Sequence, residues 1–217
     1  QAHVAKAMDA ILLGGTNAAA RLATAQDSVV SPTLAFTSGA DLLEFANPAQ
    51  QLTFKANTIS TGAGADVVDS ELNSGFRNTI FTGSGADVIN AGSRDVITGG
   101  SGDDVISALG GDGNRLSGMS GDDQFIIGTT ANRALGGAGN DKFIILESAG
   151  TNYLNGGAGA DEFWLVSGPG DSPAAKQFVM DFKVGEDKVG LQGVSFSSLV
   201  FSQVGADTLL NVAGVEV

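Results

Sequence analysis

The sequence of 217 residues has no cysteine and a single histidine, His3, so neither disulfide bonds nor a thiolate metal site is possible. No HExxH or GxSxG motif is present, which argues against zinc peptidase and serine hydrolase chemistry. Only 11 Lys and Arg stand against 24 Asp and Glu, giving a formal net charge of −13. That balance argues against nucleic acid or an anionic membrane as a partner, because both need a basic surface. No apolar run approaches about 18 residues, so we expect no transmembrane helix.

The N-terminal region shows little that identifies it. Residue 1 is Gln rather than Met, and the residues after it do not resemble a signal peptide. We therefore expect the chain to be a processed form or part of a longer protein. Val4, Met8, Ile11 and Leu12 stand at helical spacing in an Ala-rich stretch, which predicts a helical cap or leader over residues 1–31.

Glycine and aspartate are abundant, and they recur together. Eighteen of the 24 acidic residues are Asp, and there are 32 Gly. A Gly-rich hexapeptide ending in Asp appears as TGAGAD (61–66), TGSGAD (82–87), GGSGDD (99–104), GMSGDD (118–123), GGAGND (136–141) and GGAGAD (156–161). The final aspartates are spaced by 21, 17, 19, 18 and 20 residues, and a degenerate earlier copy ends at Asp41. Such a recurrence indicates a repeat architecture.

The residues between these turns form matching rows. Nine residues before each Asp stand Asn57, Asn78, Asp95, Asn114, Asn132 and Asn152. An apolar residue stands two positions after each final Asp, and these residues form one row: Leu43, Val68, Ile89, Ile106, Phe125, Phe143 and Phe163. A second row stands two positions after each Asn or the residue that replaces it: Leu34, Ile59, Ile80, Ile97, Leu116, Ala134 and Leu154. Short β-favouring runs bounded by turns predict an all-β parallel coil over residues 32–168, with two strands per coil and a narrow core.

Stacked turns would place the aspartates directly above one another. A column of carboxylates at the spacing of parallel strands repels itself unless cations lie between them. Glycines admit backbone conformations that aim carbonyl oxygens at such a cation. Ligands that are all oxygen favour Ca²⁺ over Zn²⁺ or a softer metal. The alternative is that these are ordinary Gly/Asp turns that need no metal.

The segments GGAGADEFW, GGAGNDKFI and GGSGDDVIS resemble G-G-x-G-x-D-x-U-x, the calcium-binding nonapeptide of RTX (repeats-in-toxin) proteins. TGAGADVVD and TGSGADVIN lose the first Gly, and SGMSGDDQF has Met119 in place of the second. The resemblance covers roughly residues 57–166 and implies a right-handed parallel β-roll that holds calcium between successive turns. It implies carboxylate ligands from Asp66, Asp87, Asp104, Asp123, Asp141 and Asp161, with further side-chain oxygens from Asp103, Asp122 and Asn140. Carbonyl ligands would come from the turn, including Gly62, Gly64, Gly83, Gly85, Gly100, Gly102, Gly121, Gly137, Gly139, Gly157 and Gly159.

The opposite edge departs from the RTX pattern. It carries the Asn row in loops of irregular length, and Arg115 and Arg133 stand where a ligand Asp would be expected. We therefore predict calcium along one edge only, with about five ions between six turns. The Asn edge should be held by hydrogen bonds from side chains to backbone.

After residues 167–173 the repeat stops. Residues 169–217 predict capping strands with turns at Gly185 and Gly205, and they resemble the region that follows the repeats in secreted RTX proteins. This segment must cover the apolar end formed by Phe163, Trp164 and Leu165. Its acids Asp181, Glu186 and Asp187 either bind a further ion or form a solvated turn, and the turn is favoured.

The favoured function is a non-catalytic calcium-binding module of a secreted or cell-surface protein, which folds on binding Ca²⁺ after export. The resemblance adds type I secretion and roles in assembly or adhesion, with self-assembly or a cell-surface glycan as partner. The alternative is a domain of a secreted carbohydrate-active enzyme of the parallel β-helix lyase or epimerase type, using loop acids among Asp69, Glu71, Asp112 and Glu147. A flat ice-binding face is a third possibility, but its row of Thr33, Thr58 and Thr79 breaks at Val96.

Overall fold

The structure is a computed structural model that describes residues 10–13, 19–22, 33–36, 38–45, 58–71, 77–146, 149–167, 175–192, 199–205, 207–212 and 215–216. These residues form β-strands, turns and loops, and the only helical feature is a single residue in 3₁₀ conformation at Glu71. Accordingly, the described part of the chain has no helix that could cross a membrane.

Two parallel sheets, which we call sheet A and sheet B, form a β-roll in which each coil gives one strand to each sheet. Sheet A contains β1 (Ala10–Leu13), β3 (Thr33–Phe36), β5 (Thr58–Ala63), β7 (Thr79–Ser84), β9 (Val96–Ser101), β11 (Arg115–Ser120), β13 (Arg133–Ala138), β15 (Tyr153–Ala158) and β17 (Phe178–Val179). Sheet B contains β2 (Ala19–Leu22), β4 (Leu42–Phe45), β6 (Val67–Asp69), β8 (Val88–Asn90), β10 (Val105–Ala108), β12 (Gln124–Ile127), β14 (Lys142–Leu146), β16 (Glu162–Val166) and β18 (Lys188–Gln192). A separate antiparallel sheet contains β19 (Leu199–Val204), β20 (Asp207–Val212) and β21 (Val215–Glu216).

The core lies between sheets A and B and contains the two predicted apolar rows. Ile59, Ile80 and Ile97 stack in register in sheet A, and every side chain of this row that the structure describes is buried. In sheet B the rings of Phe125 and Phe143 stack with centroids 4.8 Å apart, and Phe143 and Phe163 follow at 4.9 Å. A third buried row on the side of sheet B, namely Ala91, Ala108, Ile127, Ile145 and Leu165, broadens the core towards the C-terminus.

The prediction of a helix over residues 1–31 is wrong for the residues that the structure describes. Ala10–Leu13 and Ala19–Leu22 are strands, and β1 pairs in parallel with β3 so that Ile11 lies beside Leu34. The backbone edge of the next coil offers ladder hydrogen bonds, and such tertiary pairing overrides the helix propensity of Ala. Val4 and Met8 lie outside the described residues. Sheets A and B thus begin before residue 32, which was the predicted first residue of the coil.

The sheets also continue past residue 168. β17 pairs with β15, and β18 pairs with β16 so that Gly190 lies beside Trp164. A Cβ at Gly190 would lie 2.4 Å from atoms of the Trp164 ring, so this position has no room for a side chain. The predicted cover over the last repeat is therefore a further coil of the roll, and the predicted turns at Gly185 and Gly205 are present, with φ of 91° and 65°.

Candidate metal centre along the aspartate edge

The final aspartates of the repeats form a continuous ladder at the edge where strands of sheet A turn into strands of sheet B. The backbone N–H of Asp66 donates to Asp87 Oδ1 at 2.8 Å, and that of Asp87 donates to Asp104 Oδ1 at 2.9 Å. The same bond repeats at 2.8 to 2.9 Å through Asp123, Asp141 and Asp161. One oxygen of each carboxylate therefore fastens its coil to the previous one. The predicted stacking of the aspartates is present.

The second oxygen of each carboxylate has no such role. These Oδ2 atoms are buried and accept no hydrogen bond from the described residues; they belong to Asp66, Asp87, Asp104, Asp123, Asp141 and Asp161. A buried anionic oxygen without a partner is strongly unfavourable. The described residues contain no group of three or more His, Cys, Asp or Glu that could hold a metal by side chains alone. A cation on this column would therefore also need backbone carbonyls, which is the donor set that Ca²⁺ prefers.

The turns pack so closely that a side chain does not fit at repeated glycines such as Gly85, although Met119 replaces one glycine of its repeat. A Cβ at Gly85 would lie 1.7 Å from the carbonyl oxygen of Gly64, and Gly85 has a φ of 134°. The first glycine of the motif also has a role that the sequence did not reveal. A Cβ at Gly118 would lie 1.9 Å from Asp123 Oδ2, so this glycine makes room for the free carboxylate oxygen.

Burial of the column changes the acidity of its carboxyl groups. Desolvation raises the pKa of Asp123 from 3.8 to about 7, and repulsion by Asp141, Asp104 and Asp103 acts in the same direction, against the backbone hydrogen bond from Asp104. Desolvation likewise raises the pKa of Asp104 and of Asp141 to about 6. Without a bound cation, these three carboxyl groups bind protons near neutral pH.

The acids and amide one residue earlier form a second, outer ladder. Asp103 Oδ1 accepts from the backbone N–H of Asp122 at 2.8 Å, and Asp122 Oδ1 accepts from that of Asn140 at 2.7 Å. Asn140 Oδ1 continues this ladder to the backbone N–H of Ala160 at 3.0 Å. These side chains are exposed, so the remaining oxygens of Asp103 and Asp122 are open to solvent, in contrast to those of the buried column.

The opposite edge has the same ladder, but there both terminal atoms of the side chain have hydrogen-bond partners. The backbone N–H of Asn114 donates to Asn132 Oδ1 at 2.9 Å, and Asn114 Nδ2 donates to the Gly111 carbonyl at 2.8 Å. Asp95 is the acidic member of this row, and its Oδ2 accepts from Ser70 Oγ at 2.8 Å and from the Gly92 N–H at 2.9 Å. The predicted hydrogen-bonded Asn edge is confirmed for these residues, and Asn57 lies outside the described part of the chain.

Asp181 and Asp187 accept hydrogen bonds from backbone N–H groups, which corrects the favoured prediction of a solvated turn for these two acids, whereas Glu186 is exposed in a turn, as that prediction expects. Asp187 Oδ1 accepts from the backbone N–H of Asp161 at 3.0 Å and so adds one more step to the ladder. Asp181 accepts from the N–H groups of Gly156 and Gly157 at 2.9 and 2.8 Å. The sequence held a signal for Asp187, because GEDKV (185–189) has the same Gly-x-Asp-x-apolar spacing as GADEF (159–163).

Two of the loop acids proposed for a carbohydrate-active enzyme accept hydrogen bonds from backbone N–H groups of the loops. Asp69 Oδ1 accepts from the Glu71 N–H at 3.0 Å, and Asp112 Oδ1 accepts from the Thr130 N–H at 3.1 Å. Glu147 lies outside the described residues. The row of Thr33, Thr58 and Thr79 considered for an ice-binding face pairs in register, and the next residue in that row is Val96, so the row breaks where predicted.

Two family models match the chain. Residues 101–209 match the model described as peptidase M10 serralysin C terminal. Residues 53–76 and 72–106 match the model of the RTX calcium-binding nonapeptide repeat (4 copies). A comparison with curated proteins finds no match. Both matched models describe non-catalytic modules, and the second is a calcium-binding one.

Proposed function

Because the chain belongs to the serralysin C-terminal family and carries RTX calcium-binding repeats, we propose that it is a non-catalytic module that folds around calcium outside the cell. The observation that carries the proposal is the column of six buried carboxylates, each with one oxygen that no described residue satisfies. Ionised carboxylates in this column repel one another, and bound cations remove that repulsion without unfolding the edge.

The ligands that we assign are the predicted ones. The free oxygens of Asp66, Asp87, Asp104, Asp123, Asp141 and Asp161 would supply carboxylates, and the turn carbonyls between them would complete about five sites in the gaps between six coils. Asp103, Asp122 and Asn140 lie one residue away, in the outer ladder, where all three add exposed oxygens and the two aspartates add negative potential. When bound, calcium supplies positive charge that cancels the repulsion of the column.

Calcium availability then decides where the chain folds. Extracellular calcium modules bind at about 10⁻⁴ to 10⁻³ M, so their sites remain empty in a cytoplasm that holds far less calcium. Ion binding is folding free energy for such a chain. We therefore propose export in an unfolded state through a type I secretion route, followed by folding outside the cell, with a role in assembly or adhesion.

The test compares the full chain in calcium-free buffer and in millimolar calcium. We expect circular dichroism to report a large gain of strand content with calcium, and isothermal titration calorimetry to count about five ions. Replacing Asp123 and Asp141 together by Asn should reduce the count, whereas replacing Asn132 by Ala on the opposite edge should leave the count unchanged in the folded protein. Equal strand content with and without calcium would overturn the proposal.

A further inference from the structure

The last repeat differs from the earlier ones in what lies on its turn carbonyl. At the inner coils the carbonyl oxygen of a turn glycine packs against the next coil: Gly137 O lies 2.1 Å from the place where a Cβ of Gly157 would be. The equivalent carbonyl of the last repeat, Gly157 O, instead accepts a hydrogen bond from Lys183 Nζ at 2.6 Å. An ammonium group therefore lies on a carbonyl that we assign to the calcium-binding turns.

The C-terminal turn holds this lysine in position from several sides. Asp187 Oδ2 accepts from the backbone N–H of Lys183 at 2.7 Å, while its Oδ1 accepts from that of Asp161. Glu186 Oε2 lies 3.9 Å from Lys183 Nζ. Asp181 binds the N–H groups of Gly156 and Gly157 and so fixes the backbone on which the ammonium rests. The contact thus belongs to a built turn rather than to a lone surface side chain.

The charges at this end require a cation as much as those of the inner coils do. Asp161 Oδ2 is buried and unsatisfied by the described residues, like the other members of its column. The backbone N–H of Asp161 donates to Asp187 Oδ1, so a further carboxylate lies next to Asp161 at this end of the column.

We propose that the Lys183 ammonium takes the place of the cation between the Asp161 coil and the Asp187 turn, so that the calcium column ends at the coil of Asp161. This inference rests on the proposed function, since it specifies which gap of the aspartate edge takes no calcium. A single lysine closes the column because a monovalent group on a flexible stem needs neither six ligands nor a further glycine turn.

The experiment counts calcium in full-length variants by calorimetry and native mass spectrometry. Lys183→Met removes the ammonium and keeps the aliphatic stem, and we expect it to bind one calcium more than the unsubstituted chain. Lys183→Arg should keep the original count. The matched control is Lys188→Met, which removes a nearby exposed lysine whose Nζ lies 3.5 Å from Glu162 Oε1, and it too should keep the original count.

The outcomes separate the two proposals. If the unsubstituted chain binds no calcium, the proposed function fails and this inference fails with it. If it binds calcium and Lys183→Met binds no additional ion, only the inference is overturned. If Lys183→Met does not fold, ¹⁵N–¹H spectra of the unsubstituted chain decide: a protected Lys183 ammonium signal that persists in saturating calcium supports the inference, and its loss on calcium addition contradicts it.

Discussion

Changing the pH of a calcium-free solution tests the aspartate column directly. Asp123 has a pKa of about 7 in the folded chain, against an ordinary value of 3.8, because it is buried among other acids. The folded chain therefore binds more protons than the unfolded chain between these two values. Stability of the calcium-free fold is then highest at low pH and is lost as the pH rises through about 7.

The size of the effect follows from the same values. Where the folded chain binds one proton more than the unfolded chain, each pH unit changes the free energy of unfolding by about 1.4 kcal/mol. Raising the pH from 5 to 8 therefore lowers that free energy by roughly 2 to 3 kcal/mol through Asp123 alone. That is about a 100-fold change in the ratio of folded to unfolded chains. Asp104 and Asp141, each with a pKa of about 6, act in the same direction. A domain with a total stability of 5–15 kcal/mol would feel this loss strongly.

The assay is folding by trimethylamine N-oxide in calcium-free buffer at pH 5 and pH 8, followed by circular dichroism and by fluorescence of the single tryptophan. The unsubstituted chain should need more osmolyte at pH 8. Asp123→Asn should reduce the difference between the two pH values by roughly 2 to 3 kcal/mol. Asp207→Asn, on β20 outside sheets A and B, serves as the control and should leave the difference unchanged. A calcium-free fold that gains stability from pH 5 to pH 8 would refute the reasoning.

Three further predictions concern the same edges. Calcium binding near pH 6.5 should release protons from the column, measured as a dependence of the calorimetric enthalpy on the ionisation enthalpy of the buffer; no dependence would contradict the raised pKa of Asp123. Met119→Gly should stabilise the calcium-bound fold by about 1 kcal/mol in denaturant titrations, because Met119 has a φ of 84° in a position where other repeats have Gly. Met180→Gly is its control and should give no such gain. Asp95→Asn should lower the stability in calcium by about 1–3 kcal/mol without changing the ion count, because an amide group would face two hydrogen-bond donors; a reduced count would mean that Asp95 binds calcium.

The repeat made much of this fold predictable. Spacing alone gave the two apolar rows, and Ile80 and Phe125 are fully buried where those rows predict. It also gave the stacked aspartates, because a register that repeats every coil forces equivalent residues to lie above one another. The same reasoning failed where the repeat weakens. Around Ile11 the apolar residues stand at helical spacing, and pairing with the neighbouring coil overrides that preference.

The chemistry at the ends of the column was harder to predict because it depends on single contacts. Asp187 continues the ladder from a turn whose glycine-rich part is missing, so only its Gly-x-Asp-x-apolar spacing points to it. Lys183 contacts Gly157, which is 26 residues away, and no periodic pattern connects the two. The role of Gly118 in making room for a carboxylate oxygen likewise requires the folded geometry.

The two edges of the roll differ in whether the second terminal atom of each ladder side chain has a hydrogen-bond partner, and that difference separates their dependence on calcium. On both edges a side-chain Oδ1 accepts a hydrogen bond from the backbone of the previous coil, as in Asn132 with Asn114 and Asp123 with Asp104. The remaining atom of Asn132 is an amide nitrogen, which donates to Thr129 Oγ1 at 3.0 Å and completes the edge from within. The remaining atom of Asp123 is an anionic oxygen that nothing in the described chain satisfies. Both ladders share the same kind of backbone hydrogen bond, so an edge depends on a cation where a second carboxylate oxygen has no donor. Asp95 on the opposite edge is also a carboxylate, but Ser70 and Gly92 donate to its second oxygen.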